Sequence, residues 1–231
     1  MTTVPFKGKA KPIDDVDLPR LAAKLGAHVG EDPLRAFMDI ETLGSGFYPN
    51  GSVKRLYEPH VAYRVAGPGH VRDALVAAGL AYPEWGMKPY PKDSTDRILK
   101  AVEIAGREIA YQATSWGSMQ VLGENFAKAG FNSAVQMVEM MMEDEEVHLW
   151  AAINFLKNSG LADDMDRLGA LDRAVTPEDC VPIVRTYNGA GYRKNNYHVK
   201  FANALNKWKR IKDTPWDGDE EAGAPPVYPT R

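Results

Sequence analysis

The spacing of hydrophobic residues predicts a chain made mostly of helices. Apolar positions recur at helical intervals, and Gly, Asn and Pro mark where these runs end. One of the clearest helix starts is at Asp32, a good N-cap, followed by Pro33 in the first turn. The predicted helices cover residues 18–28, 34–43, 71–78, 96–112, 133–156, 176–189 and 197–211.

One short region carries a strong strand signal. Asn50-Gly51 lies inside a run of mixed apolar and polar residues, 47–57, which is typical of a β-hairpin. We expect the strand pair to extend through His60 to Arg64. Residues 115–122 are expected to form a turn with a helical start. The predicted fold class is therefore mainly α (α+β), with one small β-hairpin after the helix over 34–43.

Composition is that of an ordinary globular protein. The 231 residues suit one domain or at most two small ones, and 44% are hydrophobic while 26% are charged. That balance is enough to bury a core and excludes wholesale disorder. We expect a flexible N-terminus over 1–15, a single domain over 16–212, and an acidic, Pro-rich tail over 213–231.

Several classes of protein are excluded by what the sequence contains. The single Cys180 excludes a disulfide framework within the chain and a cysteine-based zinc site. Five scattered histidines show no tight metal-binding spacing, so we expect neither a metal nor a cofactor. No apolar run approaches the roughly 20 residues of a membrane helix, and residues 1–15 lack the apolar core of a secretory signal. A net charge of −3 gives no indication of a nucleic-acid partner.

A carboxylate lies on the apolar face of the second predicted helix. Leu34, Phe37, Met38 and Glu41 fall at i, i+3, i+4 and i+7, which is one face. A carboxyl group held against apolar groups has a raised pKa, and glycoside hydrolysis needs such a protonated general acid. On spacing alone, the favoured interpretation is a helix-end glutamate bonded to a backbone N–H.

Four motifs then resemble the phage-endolysin N-acetylmuramidase family, within the lysozyme-like superfamily. Residues 41–47, ETLGSGF, resemble the E-S/T-x-G-x-G-F signature of lysozyme-like muramidases. Residues 115–121, SWGSMQV, resemble S-W-G-x-M/F-Q-I/V, and residues 187–189, YNG, resemble the third signature. Residues 56–64, LYEPHVAYR, resemble the family's F-E-R-H-x-F-Y-R strand, and the likeness spans roughly residues 17–210. It implies helices arranged around a substrate cleft.

This resemblance implies roles for particular residues. Glu41 would be the general acid, and Glu58 is the best candidate for a second carboxylate. Pro59 departs from the family, which usually has a basic residue there, so anionic substrate contacts at that strand are in doubt. Trp116 also fits a core aromatic, 187–189 also fit a helix C-cap, and His60 also fits an ordinary strand histidine. The expected substrate-binding residues are Gly46, Phe47, His60, Ser115, Trp116, Gly117, Met119, Gln120, Tyr187 and Asn188.

The implied activity is that of a peptidoglycan hydrolase, an endolysin that cleaves the β-1,4 bond between N-acetylmuramic acid and N-acetylglucosamine. We expect a monomer that acts on glycan strands, held in the host cytoplasm until a holin-like partner opens the membrane. The alternatives are a lytic transglycosylase on the same fold, giving 1,6-anhydro products, and a non-enzymatic protein that binds or permeabilises the envelope. A chitinase-like activity is a further possibility, because chitin also contains N-acetyl sugars.

Charge is unevenly distributed near the C-terminus. Residues 193–212 contain seven basic side chains and no acidic one, and an apolar stripe runs through the helix over 197–211. The stripe predicts a helix docked on the domain with a solvated basic face, or one that contacts an anionic envelope surface. The acidic run 143–146 is interpreted as a solvated face. The basic residues proposed for surface contact are Lys200, Lys207, Lys209 and Arg210.

Overall fold

The computed structural model describes residues 4–23, 30–41, 44–89 and 94–215, with Glu41 described by its backbone alone. Helices dominate this part of the chain, and no helix in it is long and apolar enough to cross a membrane. The elements are α1 (Asp17–Ala22), α2 (Asp32–Glu41), β1 (Arg55–Tyr57), α3 (Pro59–Val65), α4 (His70–Ala77), α5 (Thr95–Gln112), β2 (Thr114–Trp116), β3 (Val121–Leu122), α6 (Ala134–Glu143), α7 (Glu145–Asn158), α8 (Ala162–Gly169), α9 (Pro177–Asn188) and α10 (Tyr197–Trp208).

Two compact units divide the chain. Unit 1 comprises Met1–Lys11 and Ser45–Ala151, and unit 2 comprises Pro12–Gly44 and Ala152–Arg231. The prediction of a mainly α fold with a small β element is confirmed, because the described strands form one three-stranded sheet among ten helices. The predicted boundaries, with one domain over 16–212 and a tail over 213–231, stay a prediction.

The sheet of unit 1 is antiparallel, in the order β1-β2-β3. Leu56 lies opposite Ser115, and Ser115 lies opposite Leu122. Successive side chains of a strand point to opposite faces, so the side chains of Ser115 and Trp116 lie on opposite faces of the sheet. Trp116 and Tyr57 lie on the fully buried face. Residues 115–122 therefore form two short strands with a turn, and the expected helical start is wrong.

The turn at Asn50-Gly51 forms as predicted. Gly51 has a φ of 78°, which glycine adopts without strain, and its N–H donates to the carbonyl of Tyr48 at 2.8 Å. Phe47 and Val53 bridge the two sides of this small hairpin. The chain then continues into β1, which pairs with β2 rather than prolonging the hairpin.

The predicted strand through His60 to Arg64 is wrong, because these residues lie in α3. Pro59 occupies the first turn of this helix, where its fixed φ fits and its missing N–H costs nothing. Glu58 precedes the proline and is extended, with φ −115° and ψ 95°. The proline therefore ends the strand and starts a helix.

The single helix predicted over 133–156 is divided into α6 and α7. Asp144 separates them with an extended backbone, φ −148° and ψ 133°. It is 8% exposed and forms a β-bridge with Lys11, whose Nζ lies 3.2 Å from its carboxylate. Phe6 is also buried and accepts a hydrogen bond from the Val53 N–H at 3.0 Å. Residues 6–11 are thus paired within unit 1, and the flexible N-terminus expected over 1–15 stays a prediction.

In unit 2, α10 packs against α2 and α9. The packed faces include Leu34, Phe37, Phe201 and Leu205, all without exposed surface. Each such side chain contributes about 1.5–3 kcal/mol through burial. Helix α10 is therefore the main support of α2, the helix that ends at Glu41.

Candidate functional site

Glu41 is the last residue of α2. The helix buries Leu34 and Phe37 on the predicted apolar face, and Phe37 lies one turn before Glu41. A carboxylate at the C-terminus of a helix is disfavoured by the negative end of the helix dipole, which favours the protonated form. This backbone position agrees with the requirements of a general acid. The role of Glu41 stays a prediction.

Tyr187 packs against the helix that carries Glu41. Its ring meets that of Phe37 edge to face, with 4.5 Å between centroids, and meets Phe155 at 5.7 Å. Tyr187 and Asn188 end α9, and Gly189 follows with a φ of 68°. Residues 187–189 therefore form the C-terminal cap of α9. The ring contact with Phe37 places Tyr187 against α2.

Glu58 and Ser115 form a polar pair in unit 1. The Ser115 hydroxyl donates to Glu58 Oε1 at 2.6 Å. The pairing follows from the register, because Ser115 lies opposite Leu56 and Glu58 is two residues further on the same side. The Glu58 side chain keeps 18% of its surface exposed. The sequence-predicted second carboxylate and the first residue of the second signature are thus in contact.

His60 lies beside this pair, but it is presented by a helix and not by a strand. Its Nε2 is 3.9 Å from Glu58 Oε2, and its side chain is 19% exposed. Burial lowers the pKa of His60, assisted by the nearby Arg64, while Glu58 and Glu124 act in the opposite direction. His60 is therefore neutral at pH 7 and able to act as a hydrogen-bonding group.

Trp116 and Met119, both predicted to bind substrate, have no exposed surface. The indole N–H of Trp116 donates to the carbonyl of Tyr111 at 3.0 Å, and its ring makes edge contacts with Phe6 and Tyr111. A fully buried ring offers no face to a sugar, so the core interpretation of Trp116 replaces the substrate-binding one. Met119 is corrected in the same way.

Gly117 and Gln120 shape the turn between β2 and β3. Gly117 has a φ of 76° and Gln120 a φ of 49°. The Gln120 amide donates to the carbonyl of Gly117 at 2.8 Å, so this side chain closes the turn as well as reaching the surface. Gln120 is half-buried and Ser115 is 5% exposed. These two polar side chains remain the candidates for sugar contact in this motif.

His148 and Glu145 form a buried feature that the sequence analysis missed. Glu145 is 5% exposed, and its Oε1 accepts a hydrogen bond from the N–H of Gly46. His148 is fully buried, accepts from the Ser118 N–H at 3.2 Å, and contacts the ring of Phe47. The interpretation of 143–146 as a solvated face is therefore wrong for Glu145. Its spacing of three from His148, on one face of α7, was the available signal.

The basic residues of the C-terminal segment make contacts within unit 2. Lys207 Nζ lies 3.0 Å from Asp39 Oδ2, and the indole N–H of Trp208 donates to the same oxygen at 2.9 Å. Lys209 donates to the carbonyl of Leu171, and Arg210 to that of Asn206, while Lys200 lies over the ring of Tyr197. These contacts favour the docked-helix interpretation and link α10 to α2 two residues before Glu41.

Metal-binding side chains do not cluster in the part of the chain that the structure describes. No group of three or more His, Cys, Asp or Glu residues there has the geometry to hold an ion.

Comparisons with known proteins give one structural relative and one family. The crystal structure of the Burkholderia AP3 phage endolysin matches with a TM-score of 0.69 and 28% identity, covering 91% of this chain and 74% of that one. No curated protein sequence matches significantly. The family model for N-acetylmuramidase, a class of peptidoglycan hydrolase, matches residues 31–209, which include all four sequence motifs. The chain belongs to the N-acetylmuramidase family.

Proposed function

We propose that this protein is a phage endolysin that hydrolyses the β-1,4 bond between N-acetylmuramic acid and N-acetylglucosamine, with Glu41 as general acid. The observation that carries the proposal is the family match over residues 31–209, which includes Glu41 and all four sequence motifs. The likeness to a solved phage endolysin supports the biological setting.

In this mechanism the Glu41 carboxyl donates its proton to the glycosidic oxygen. The C–O bond on the muramic-acid side breaks, and positive charge develops on the ring as an oxocarbenium ion. Water then attacks the anomeric carbon and leaves a reducing muramic-acid end. The helix dipole at the end of α2 favours the protonated acid before the reaction.

Glu58 is proposed to assist the attacking water. Ser115 orients one carboxylate oxygen through a bond of 2.6 Å, and the side chain is partly exposed, so a water or a sugar is able to reach it. An ionised carboxylate there would accept a proton from water or stabilise the oxocarbenium ion. Ser115, His60 and Gln120 are proposed to bind the N-acetyl sugars.

Product analysis tests the proposal. Purified sacculi are digested with the wild type, Glu41→Gln, Glu58→Gln and Glu103→Gln, and soluble fragments are identified by mass spectrometry. Glu103 is an exposed residue of α5 outside the motifs, which makes it a matched control. We expect reducing muramic-acid ends from the wild type and the control. Reducing N-acetylglucosamine ends would contradict the proposed bond, and 1,6-anhydro products would indicate a lytic transglycosylase.

We further propose that the protein acts as a monomer and reaches the wall only after a holin-like partner opens the membrane. Expression in a susceptible bacterium should cause little lysis until the membrane is permeabilised from outside, after which lysis should be rapid in the wild type and slow with Glu41→Gln. Lysis without permeabilisation would contradict dependence on a holin-like partner.

A further inference from the structure

One buried histidine of unit 1 contacts two of the four sequence motifs. His148 lies on α7 without exposed surface. Its Nδ1 is 3.2 Å from the backbone nitrogen of Ser118, in the second signature. Its ring lies 5.1 Å, between centroids, from that of Phe47, the last residue of the first signature. The loop that ends the first signature and the turn of the second therefore meet on one side chain.

The partners of the imidazole fix its protonation. Nδ1 faces a backbone N–H and must accept, so it carries no proton. Nε2 lies 2.7 Å from the carbonyl oxygen of Met141 and must donate to it. The ring is thus a neutral imidazole with its proton on Nε2. No other side chain presents a hydrogen-bond acceptor and a donor in this rigid geometry.

Two glycines bring the loops onto this ring. A Cβ at Gly46 would overlap His148 Nδ1 and lie 2.8 Å from the Ser118 nitrogen. A Cβ at Gly117 would lie 2.8 Å from His148 Cγ. Glu145, one turn earlier on α7, accepts the N–H of Gly46. Both loops therefore approach the imidazole as closely as backbone can.

We propose that His148 is a positioning residue for the sugar-binding loops, holding residues 46–47 and 117–118 together through its neutral ring. The inference rests on the proposed function, because the loops matter as carriers of substrate contacts. Displacing a binding group by about 1 Å can cost about 100-fold in rate. His148 Nδ1 is one of several groups that set this position, because Glu145 binds the N–H of Gly46 and the Lys54 backbone bonds both Gly46 and Gly117. It is the group that substitution of the ring tests.

Protonation of His148 would remove the acceptor and set an N–H against the N–H of Ser118. Burial lowers the pKa of His148, and the carbonyl of Met141 and the carboxylates of Glu145 and Asp144 act in the opposite direction. Because the folded pKa lies below the unfolded value of 6.5, stability falls as pH drops through 6.5 and levels off below the folded pKa. Substrate affinity should weaken as the ring becomes protonated.

Two substitutions separate the two hydrogen bonds of the ring. In His148→Asn the amide oxygen takes the place of Nδ1 and can accept the Ser118 N–H. In His148→Gln the amide nitrogen reaches the place of Nε2 and can donate to Met141, while the Ser118 N–H loses its acceptor. Steady-state hydrolysis of soluble glycan fragments at pH 7 gives kcat and KM for both variants. Thermal melting gives their stability.

We expect KM within about 3-fold of the wild type for His148→Asn and at least about 10-fold higher for His148→Gln, consistent with loop displacement. A purely structural role would lower the active fraction, and with it apparent kcat, while leaving KM unchanged in both variants. That result, or equal KM values for the two variants, would overturn the inference with the proposed function intact. A wild type without hydrolysis would overturn the proposed function and this inference with it.

Discussion

Gly117→Ala is expected to destabilise the protein through two separable effects. The residue has a φ of 76°, and an L-residue in this left-handed region costs about 1–2 kcal/mol. The added Cβ would also lie 2.8 Å from Cγ of the buried His148, and such overpacking costs about 1–3 kcal/mol. The lower chain entropy of unfolded alanine offsets about 0.4–1 kcal/mol. The net loss should be about 1–5 kcal/mol, with a midpoint of about 3 kcal/mol.

Two other glycines of unit 1 separate the contributions. Gly67 has a φ of 63° and open space around its Cβ position, so Gly67→Ala carries the backbone strain alone. Gly46 lacks a left-handed φ, so Gly46→Ala carries steric overlap, with His148 and with the Ser118 nitrogen, and no backbone strain. Urea unfolding followed by circular dichroism measures the free energy of unfolding of each variant. If Gly117→Ala and Gly67→Ala were equally destabilised, the close packing of His148 would be refuted.

Three further predictions concern other regions of the molecule. Trp116→Phe should lose about 1–3 kcal/mol of stability with KM unchanged, because the indole packs in the core and donates to the Tyr111 carbonyl. A raised KM at unchanged stability would instead indicate that Trp116 binds sugar. Burial and two neighbouring carboxylates raise the pKa of Asp32 to about 6, so wild-type stability falls as pH rises from about 4 through about 6. Asp32→Asn should therefore be more stable by up to about 1 kcal/mol at pH 7, allowing for partial exposure, with no difference near pH 4 in urea titrations. A triple variant changes three exposed basic residues to glutamine and spares the bond of Lys207 to Asp39; the residues are Arg193, Lys194 and Lys200. If these residues bind an anionic envelope, sacculus retention at low salt should fall. Unchanged retention would exclude a contact through these three positions.

The parts of the fold set by local pattern were predictable. Helix α2 follows from its apolar face and its start at Asp32, and α9 from a capping box in which Thr176 and Asp179 bond each other's backbone. The turn at Asn50-Gly51 follows from the same kind of short-range preference. Each depends on residues within a few positions of one another, which the sequence displays directly.

The errors have both local and distant causes. The hairpin strand pair is predicted to extend through His60 to Arg64, but Pro59 favours the first turn of a helix and these residues lie in α3. Helix 133–156 breaks at Asp144 because its backbone pairs with Lys11, which lies far away in sequence. His148 was missed for the same reason, since its partners are backbone groups that carry no side-chain signature.

Burial also decided between the roles left open for the second signature. Ser115 and Trp116 are adjacent, and strand alternation sends one to the polar side and the other to the core. The sequence pattern shows that both residues are typical of the family but does not distinguish a residue that touches sugar from one that supports the strand. Only the register with β1 makes that distinction.

The rate of glycosidic-bond hydrolysis by Glu41→Gln measures what the Glu41 carboxyl group contributes as general acid. Reducing ends released from purified sacculi are measured for the wild type, Glu41→Gln and Glu103→Gln, after circular dichroism has shown that all three are folded. General-acid catalysis contributes about 100- to 10,000-fold, so Glu41→Gln should be slower by that factor and the control unchanged. A Glu41→Gln variant that retains wild-type activity would show that Glu41 is not the general acid.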